Sequence, residues 1–114
     1  MFKKIDVTMG NINNGHFYIP RDYSFINEKY WGGSNSLASG EAVKLKFYGT
    51  GEEVDTDLDE TKRIFRKARG QIRRFFEKNK ITQPTTIFIQ KIAENAFLIT
   101  PNVLPEIEAK EIEL

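Results

Sequence analysis

The chain has 114 residues, no cysteine, a formal net charge of +1 and 12% aromatic residues, with nine Phe. That is the length of one domain with a modest core, and the apolar content excludes wholesale disorder. The lack of cysteine excludes a disulfide framework and a thiolate metal site, and no run approaches the roughly 20 apolar residues a membrane-spanning helix needs.

The first stretch, "MFKKIDVTMG", lacks the apolar run of a signal peptide and contains a strand signal, "FKKIDVTM". With the missing cysteines this gives a cytoplasmic expectation. "GNINNG" follows, a cluster of Asn11, Asn13 and Asn14 between glycines, and then "HFYIP", a second strand closed by Pro20. "RDYSFINEKYWGG" reads as a short helix or loop leading to a turn, and "SNSLASG" as a further loop. "AVKLKFYG" alternates, with Val43, Leu45 and Phe47 on one face and Lys44, Lys46 and Tyr48 on the other, the mark of a half-buried strand. "TTIFIQKI" and "NAFLIT" are two more strands with a hairpin turn at "AEN". Residues 1–101 thus form one domain, and "PNVLPEIEAKEIEL", with two prolines, makes residues 102–114 a tail or linker.

The middle admits two divisions. Apolar residues at Ile64, Phe65, Ala68, Ile72, Phe75 and Phe76 fit one face of a long helix, interrupted by Gly70 at a cost of about 1 kcal/mol. Alternatively "EEVDTDL" and "RIFRKA" are paired strands joined at "DETK", and "GQIRRFFEKNK" is a short helix. Propensity slightly favours the long helix. Either way, the number of strand signals gives a mostly β fold of the α+β class, a barrel or sandwich.

Charge is unevenly spread. Residues 51–60 carry Glu52, Glu53, Asp55, Asp57, Asp59 and Glu60 with no base, whereas residues 61–80 carry nine bases against the single Glu77. The alternate aspartates at 55, 57 and 59 resemble the start of a calcium loop, but the sixth and twelfth positions hold Glu60 and Arg66 where Gly and Glu are required. As part of a strand they would line one face of an acidic edge. His16 is the only histidine and cannot make a His-rich metal site, the serines lie in no nucleophile motif, and "GTGEE" is too short and acidic to cradle phosphate. No catalytic set, metal site or cofactor is therefore expected in this chain.

A binding role is better provided for. Asn, Gln, Arg and Lys form bidentate hydrogen bonds with base edges, while clustered cations anchor phosphates. "NINNGH" supplies the first kind of group, and Lys62, Arg63, Arg66, Lys67, Arg69, Arg73 and Arg74 the second. The plainer readings are a turn tolerating positive φ at "NNG" and a solvated helix face for the bases.

The order of these features resembles a known family. "DVTMGNINNGHFYIPR" resembles the opening of B-three-type DNA-binding pseudobarrels, in which a loop leads into a strand ending Ile-Pro-basic, here Ile19, Pro20 and Arg21. "QIRRFFEKNKI" followed by "TIFIQ" resembles that family's short helix and next strand, and "GHFYIP", "WGG", "TDLDETKRIFRKARG" and "RRFFE" are similar to its bacterial branch, found in restriction endonucleases. The resemblance runs from Asp6 to Pro101; it departs at "TQPTT", where the family often has Gly-Asp. It implies a seven-stranded open pseudobarrel with one or two short helices, gripping the major groove of double-stranded DNA with two arms. The N-terminal arm maps onto residues 11–18 and the C-terminal arm onto the hairpin at residues 57–66, which favours the split middle. Asn13, Asn14 and His16 become base-reading groups on a strand. The implied DNA-binding set is Asn11, Asn13, Asn14, His16, Tyr18, Arg21, Asp59, Lys62, Arg63, Arg66 and Arg69. Asp59 would accept from a cytosine amino group or buttress arginines. The implied role is the non-catalytic recognition domain of a restriction–modification enzyme, fused to or associated with a nuclease domain. The rivals are a stand-alone transcriptional regulator of the same fold and a small β-barrel protein-interaction module.

Overall fold

The strand signals resolve into two open sheets in the computed structural model, which describes residues 1–111. The chain begins with β1 (Phe2–Val7) and a one-and-a-half-turn helix α1 (Met9–Asn14), then crosses the surface to a 3-10 turn (Glu28–Tyr30) and β2 (Trp31–Gly32). A loop with a second 3-10 turn (Ser36–Ala38) leads to β3 (Val43–Phe47), β4 (Glu53–Thr56), β5 (Leu58–Asp59) and β6 (Ile64–Phe65). Then come α2 (Arg69–Lys78), β7 (Thr85–Ala93), β8 (Ala96–Thr100) and α3 (Glu106–Glu111).

The larger sheet has the order β1-β7-β8-β3-β4, antiparallel except for the parallel β3–β8 pair, and the smaller has the order β2-β5-β6. The fold is mostly β and of the α+β class, with sheets that do not close into a barrel. Eight strands are described where seven were expected, because β2, β5 and β6 are two-residue pieces that divide the small sheet finely.

The alternation read in β3 holds: Val43, Leu45 and Phe47 are buried, and Leu45 lies opposite Phe97 of β8. Ile5 of β1 pairs with Ile87 of β7, and Ile89 of β7 with Ile99 of β8, so one face of the larger sheet is apolar, with Phe47 and Phe97 among its aliphatic residues. Helix α2 covers part of the core with Ile72, Phe75 and Phe76. Its apolar side meets Phe17, whose ring stands edge-on to both Phe65 and Phe76. Phe17 thereby ties the N-terminal segment, the hairpin and α2 to one centre.

The split of the middle segment is the one the chain adopts, although Glu53–Thr56 pairs with β3 in the larger sheet and only Leu58–Asp59 pairs with Ile64–Phe65. Gly70 lies in the first turn of α2, not mid-helix, so its propensity penalty is relaxed, and the cations upstream belong to a hairpin. Three other expectations need correction. Residues 16–20 form no strand ladder; the segment is fixed by the Ile19 N–H donating to the Arg63 carbonyl at 2.8 Å, although Phe17 and Ile19 still point inward. The Asn cluster is helical and not a loop, because Thr8 supplies an N-cap. The segment from Asn102 is not a loose tail: Gln90 of β7 receives the Leu104 N–H at 3.1 Å and donates to the Leu104 carbonyl at 2.7 Å, and α3 buries Ala109. The last part of that assignment, residues 112–114, lies outside the described residues. No helix among the described residues is long and apolar enough to cross a membrane.

Candidate nucleic-acid interface

Helix α1 is short and held by local polar closure. The Thr8 hydroxyl accepts the Asn11 N–H at 3.1 Å, and the Asn11 carboxamide oxygen accepts the Thr8 N–H at 3.0 Å, a reciprocal capping box. Asn11 is 2% exposed, so it is a cap and not a base-reading group. Asn14 donates to the Gly10 carbonyl at 2.8 Å, which locks its side chain along the helix; Asn13 is exposed on the same helix. Neither Asn lies on a strand.

Gly15 ends α1 in the left-handed conformation at φ 68°. A β-carbon there would come within 2.7 Å of Arg73 Cγ and 3.0 Å of Arg69 Cγ. The residue is thus required both by backbone conformation and by the two arginines that cross it. Arg69 and Arg73 stand one turn apart on α2 and share a face. The segment then runs outward and inward alternately: Phe17 and Ile19 enter the core, while His16 and Tyr18 lie on the other side with ring centroids 5.4 Å apart. Tyr18 is 57% exposed.

His16 is half-buried, and its Nδ1 is sealed from solvent with no hydrogen-bond partner among the described residues. Burial and then the nearby Arg69 cation hold the imidazole below its ordinary 6.5. Protonation would force a second N–H into an unpartnered, positively charged setting. The ring is therefore neutral near pH 7, a hydrogen-bonding group and not an anchor for phosphate.

The hairpin of β5 and β6 is built around two buried aspartates. Asp59 Oδ1 accepts the Thr61 and Lys62 N–H groups at 2.9 and 3.1 Å, and its carbonyl accepts the Arg63 N–H at 2.7 Å. Asp59 shapes the turn from inside and is removed from the base-reading set. Arg66 is removed as well. Its guanidinium contacts Asp57 Oδ1 at 2.8 Å, Asp57 Oδ2 at 3.1 Å and the Gly33 carbonyl at 2.6 Å, with Asp59 at 4.0 Å. The side chains of Asp57 and Arg66 are 3% and 12% exposed. The hydrogen bond to Asp57 raises the Arg66 pKa further above an already high value. Of the two roles expected for Asp59, buttressing is the one present, and the larger share belongs to Asp57. The aspartates do not line one face either: Asp55 is exposed on β4 opposite Lys44, while the other two point inward. Among the described residues no group of three or more acidic or histidine side chains is placed to hold a metal ion.

What remains outward is a set of cations. Lys62, Arg63, Lys67, Arg69 and Arg73 are exposed and make no ion pair among the described residues. Arg74, by contrast, is neutralised by Glu52 at 2.9 Å, and Arg21 donates to the Glu60 carbonyl at 2.7 Å with the Glu60 carboxylate at 4.0 Å. Arg63 adopts φ 58°, and its carbonyl holds Ile19, so the hairpin turn and residues 15–19 form one continuous strip. From Gly15 to Ile19 is at most about 14 Å of extended chain. Arg69 and Arg73 flank one end, Arg63 the other, and His16 and Tyr18 lie between.

The structure thus brings together His16, Tyr18, Arg63 and Arg69 from the implied DNA-binding set with Arg73 from the wider group of anchoring cations, and turns Asn11, Asp59 and Arg66 inward. The i,i+4 spacing of Arg69 and Arg73 puts those two on one face of α2. No protein-family model, curated protein or solved structure matches the chain.

Proposed function

We propose that the chain binds double-stranded DNA through the strip formed by residues 15–19 and the hairpin turn at residues 60–63, facing the major groove. The observation that carries this reading is the placement of Arg63, Arg69 and Arg73, outward cations lacking carboxylate partners among the described residues, around the half-buried His16 and the exposed Tyr18. Cations that no carboxylate neutralises are available to displace condensed counterions from a phosphate backbone. Between them, a neutral imidazole, a phenol and the α1 amide of Asn13 offer hydrogen bonds to base edges. Arg69, Arg73, Arg63 and Lys62 position the duplex, and His16, Tyr18 and Asn13 read it.

The sequence resemblance to bacterial B-three-like domains extends the reading. The chain is the non-catalytic recognition module of a restriction–modification enzyme, working in the cytoplasm with a fused or associated nuclease domain. Selection of bound sequences from a random duplex library, followed by mobility shift on the recovered site and its scramble, tests the proposal. A recovered consensus bound more tightly than the scramble is expected. Equal retention of all duplexes would overturn sequence specificity, and retention of none would overturn DNA binding. Incubation of the recovered site with the chain in magnesium and then manganese should leave the DNA intact; cutting at the site would overturn the non-catalytic role.

A further inference from the structure

We propose that the loop of residues 33–40 is a third DNA-contacting element, with Leu37 at its tip packing on the C5-methyl group of a thymine in the major groove. This rests on the duplex-binding reading above.

The loop's place comes from the small sheet. Strands β2 and β5 are parallel, so both run toward the hairpin turn. The Glu60 N–H donates to the Gly32 carbonyl at 2.9 Å, and Arg66 holds the Gly33 carbonyl. The chain therefore leaves β2 beside the turn that carries Lys62 and Arg63, which sets the neck of the loop next to the basic strip.

The loop is also constructed, not slack. The Gly33 N–H donates to the Ala38 carbonyl at 2.7 Å and closes the neck. A β-carbon on Gly33 would come within 2.7 Å of the Ala38 β-carbon, so this closure demands glycine. Asn35 caps the turn by accepting the Leu37 N–H at 3.0 Å, the Ser39 hydroxyl donates to the Ser36 carbonyl at 2.8 Å, and the Gly40 N–H donates to Asp57 Oδ2 at 2.8 Å. All this ordering holds up one large apolar side chain, Leu37, at 98% exposure. A lone exposed leucine on a surface needs no explanation. One raised on a pre-ordered loop beside a polyanion-binding strip is a contact whose ordering cost is already met.

The chemistry of the loop selects the contact. Residues 34–39 are "SNSLAS", without a charge, so they add no phosphate anchor. The group in the major groove that rewards an apolar side chain is the thymine C5-methyl. Uracil pairs identically and lacks only that methyl, which makes it the probe.

Wild-type chain and Leu37→Ala are titrated against the selected duplex and against the same duplex with every thymine replaced by uracil. Uracil should weaken the wild type about four-fold, the worth of one buried methyl group. Leu37→Ala should weaken binding to the thymine duplex at least as much and should not distinguish the two duplexes. Its thermal unfolding should match the wild type, because Leu37 touches no core. If uracil leaves the wild type unaffected, or weakens both proteins equally, the methyl contact is overturned while duplex binding stands. Loss of affinity in Leu37→Ala together with indifference of the wild type to uracil would overturn it in favour of a wedge between bases. If neither protein binds any duplex, this inference and the duplex reading fall together.

Discussion

The two sheets are held by different means. In the larger one, strands of four to nine residues place aliphatic and aromatic side chains face to face, and burial of Ile5, Leu45, Ile89, Phe97 and Ile99 accounts for its order. In the smaller one each strand has two residues, too few to define a register by packing. Side-chain hydrogen bonds define it instead: Asp57 and Arg66 join β6 to the β2 exit, Asp59 shapes the turn, and the Trp31 indole N–H donates to the Ile26 carbonyl at 3.1 Å. The candidate interface lies on the polar-built side. Its geometry therefore depends on a few buried polar groups, whereas the larger sheet distributes the same task over many apolar contacts.

The largest expected effect tests that contrast. Arg66→Ala strands the Asp57 carboxylate in a buried site and should cost about 3–5 kcal/mol in urea unfolding. That is as much as Leu45→Ala, for which a loss of about 2–5 kcal/mol is expected from the lost burial and the cavity together. Lys62→Ala, a few residues away and outward, should change stability by less than about 0.5 kcal/mol. If Arg66→Ala proves as mild as Lys62→Ala, the small sheet is not held by its ion pair.

A middle-sized effect separates capping from reading. Asn11→Ala and Thr8→Ala each open the same capping box and should each cost about 1 kcal/mol by thermal or urea unfolding. Neither should alter the order of preference among duplexes. A change of preferred base with Asn11→Ala at unchanged stability would return Asn11 to the reading set. Gly15→Ala should cost about 1–2 kcal/mol for the left-handed backbone alone, and it should weaken binding because Arg69 and Arg73 must move aside.

The smallest effect is the pH response of His16. Its folded-state pKa is depressed by burial and Arg69, so the unfolded chain takes up a proton at higher pH than the folded one. As pH falls below 6.5, the unfolded state binds more protons at this site and stability declines; above that range His16 contributes no slope. His16→Gln should flatten this part of the stability profile. Since the chain has one histidine, an NMR titration of its ring reads the depressed pKa directly, and a bound phosphate backbone should move it upward. An unshifted imidazole would mean that the ring is neither buried as described nor held beside Arg69.

Much of the larger sheet was legible because its strands carry their signal over five residues or more: "AVKLKFYG" alternates, while "TTIFIQKI" and "NAFLIT" are apolar, β-prone runs on either side of a turn. The small sheet was not, since two-residue strands have no period to read. Asn11 illustrates the limit. An Asn three residues after a Thr is a capping box only if a helix starts there, and "MGNINN" with its glycine and three asparagines has poor helix propensity. Arg66 shows the same from the other side. Nothing in "RIFRKAR" distinguishes the arginine that turns inward to Asp57 from those that remain in solvent; the hairpin register decides it. Gly15 and the arginines above it were readable only in part, through the spacing of Arg69 and Arg73.

The salt dependence of duplex affinity tests the strip most directly. Wild type, Arg69→Ala, Arg73→Ala and Arg74→Ala are titrated with the selected duplex at several salt concentrations. Removal of Arg69 or Arg73, which make no ion pair among the described residues, should lower the slope of log affinity against log salt by about one unit, while Arg74→Ala, whose cation is already neutralised by Glu52, should leave it nearly unchanged. Equal slopes for all four proteins, or a larger loss for Arg74→Ala than for Arg69→Ala and Arg73→Ala, would contradict the assignment of this strip as the DNA-binding face.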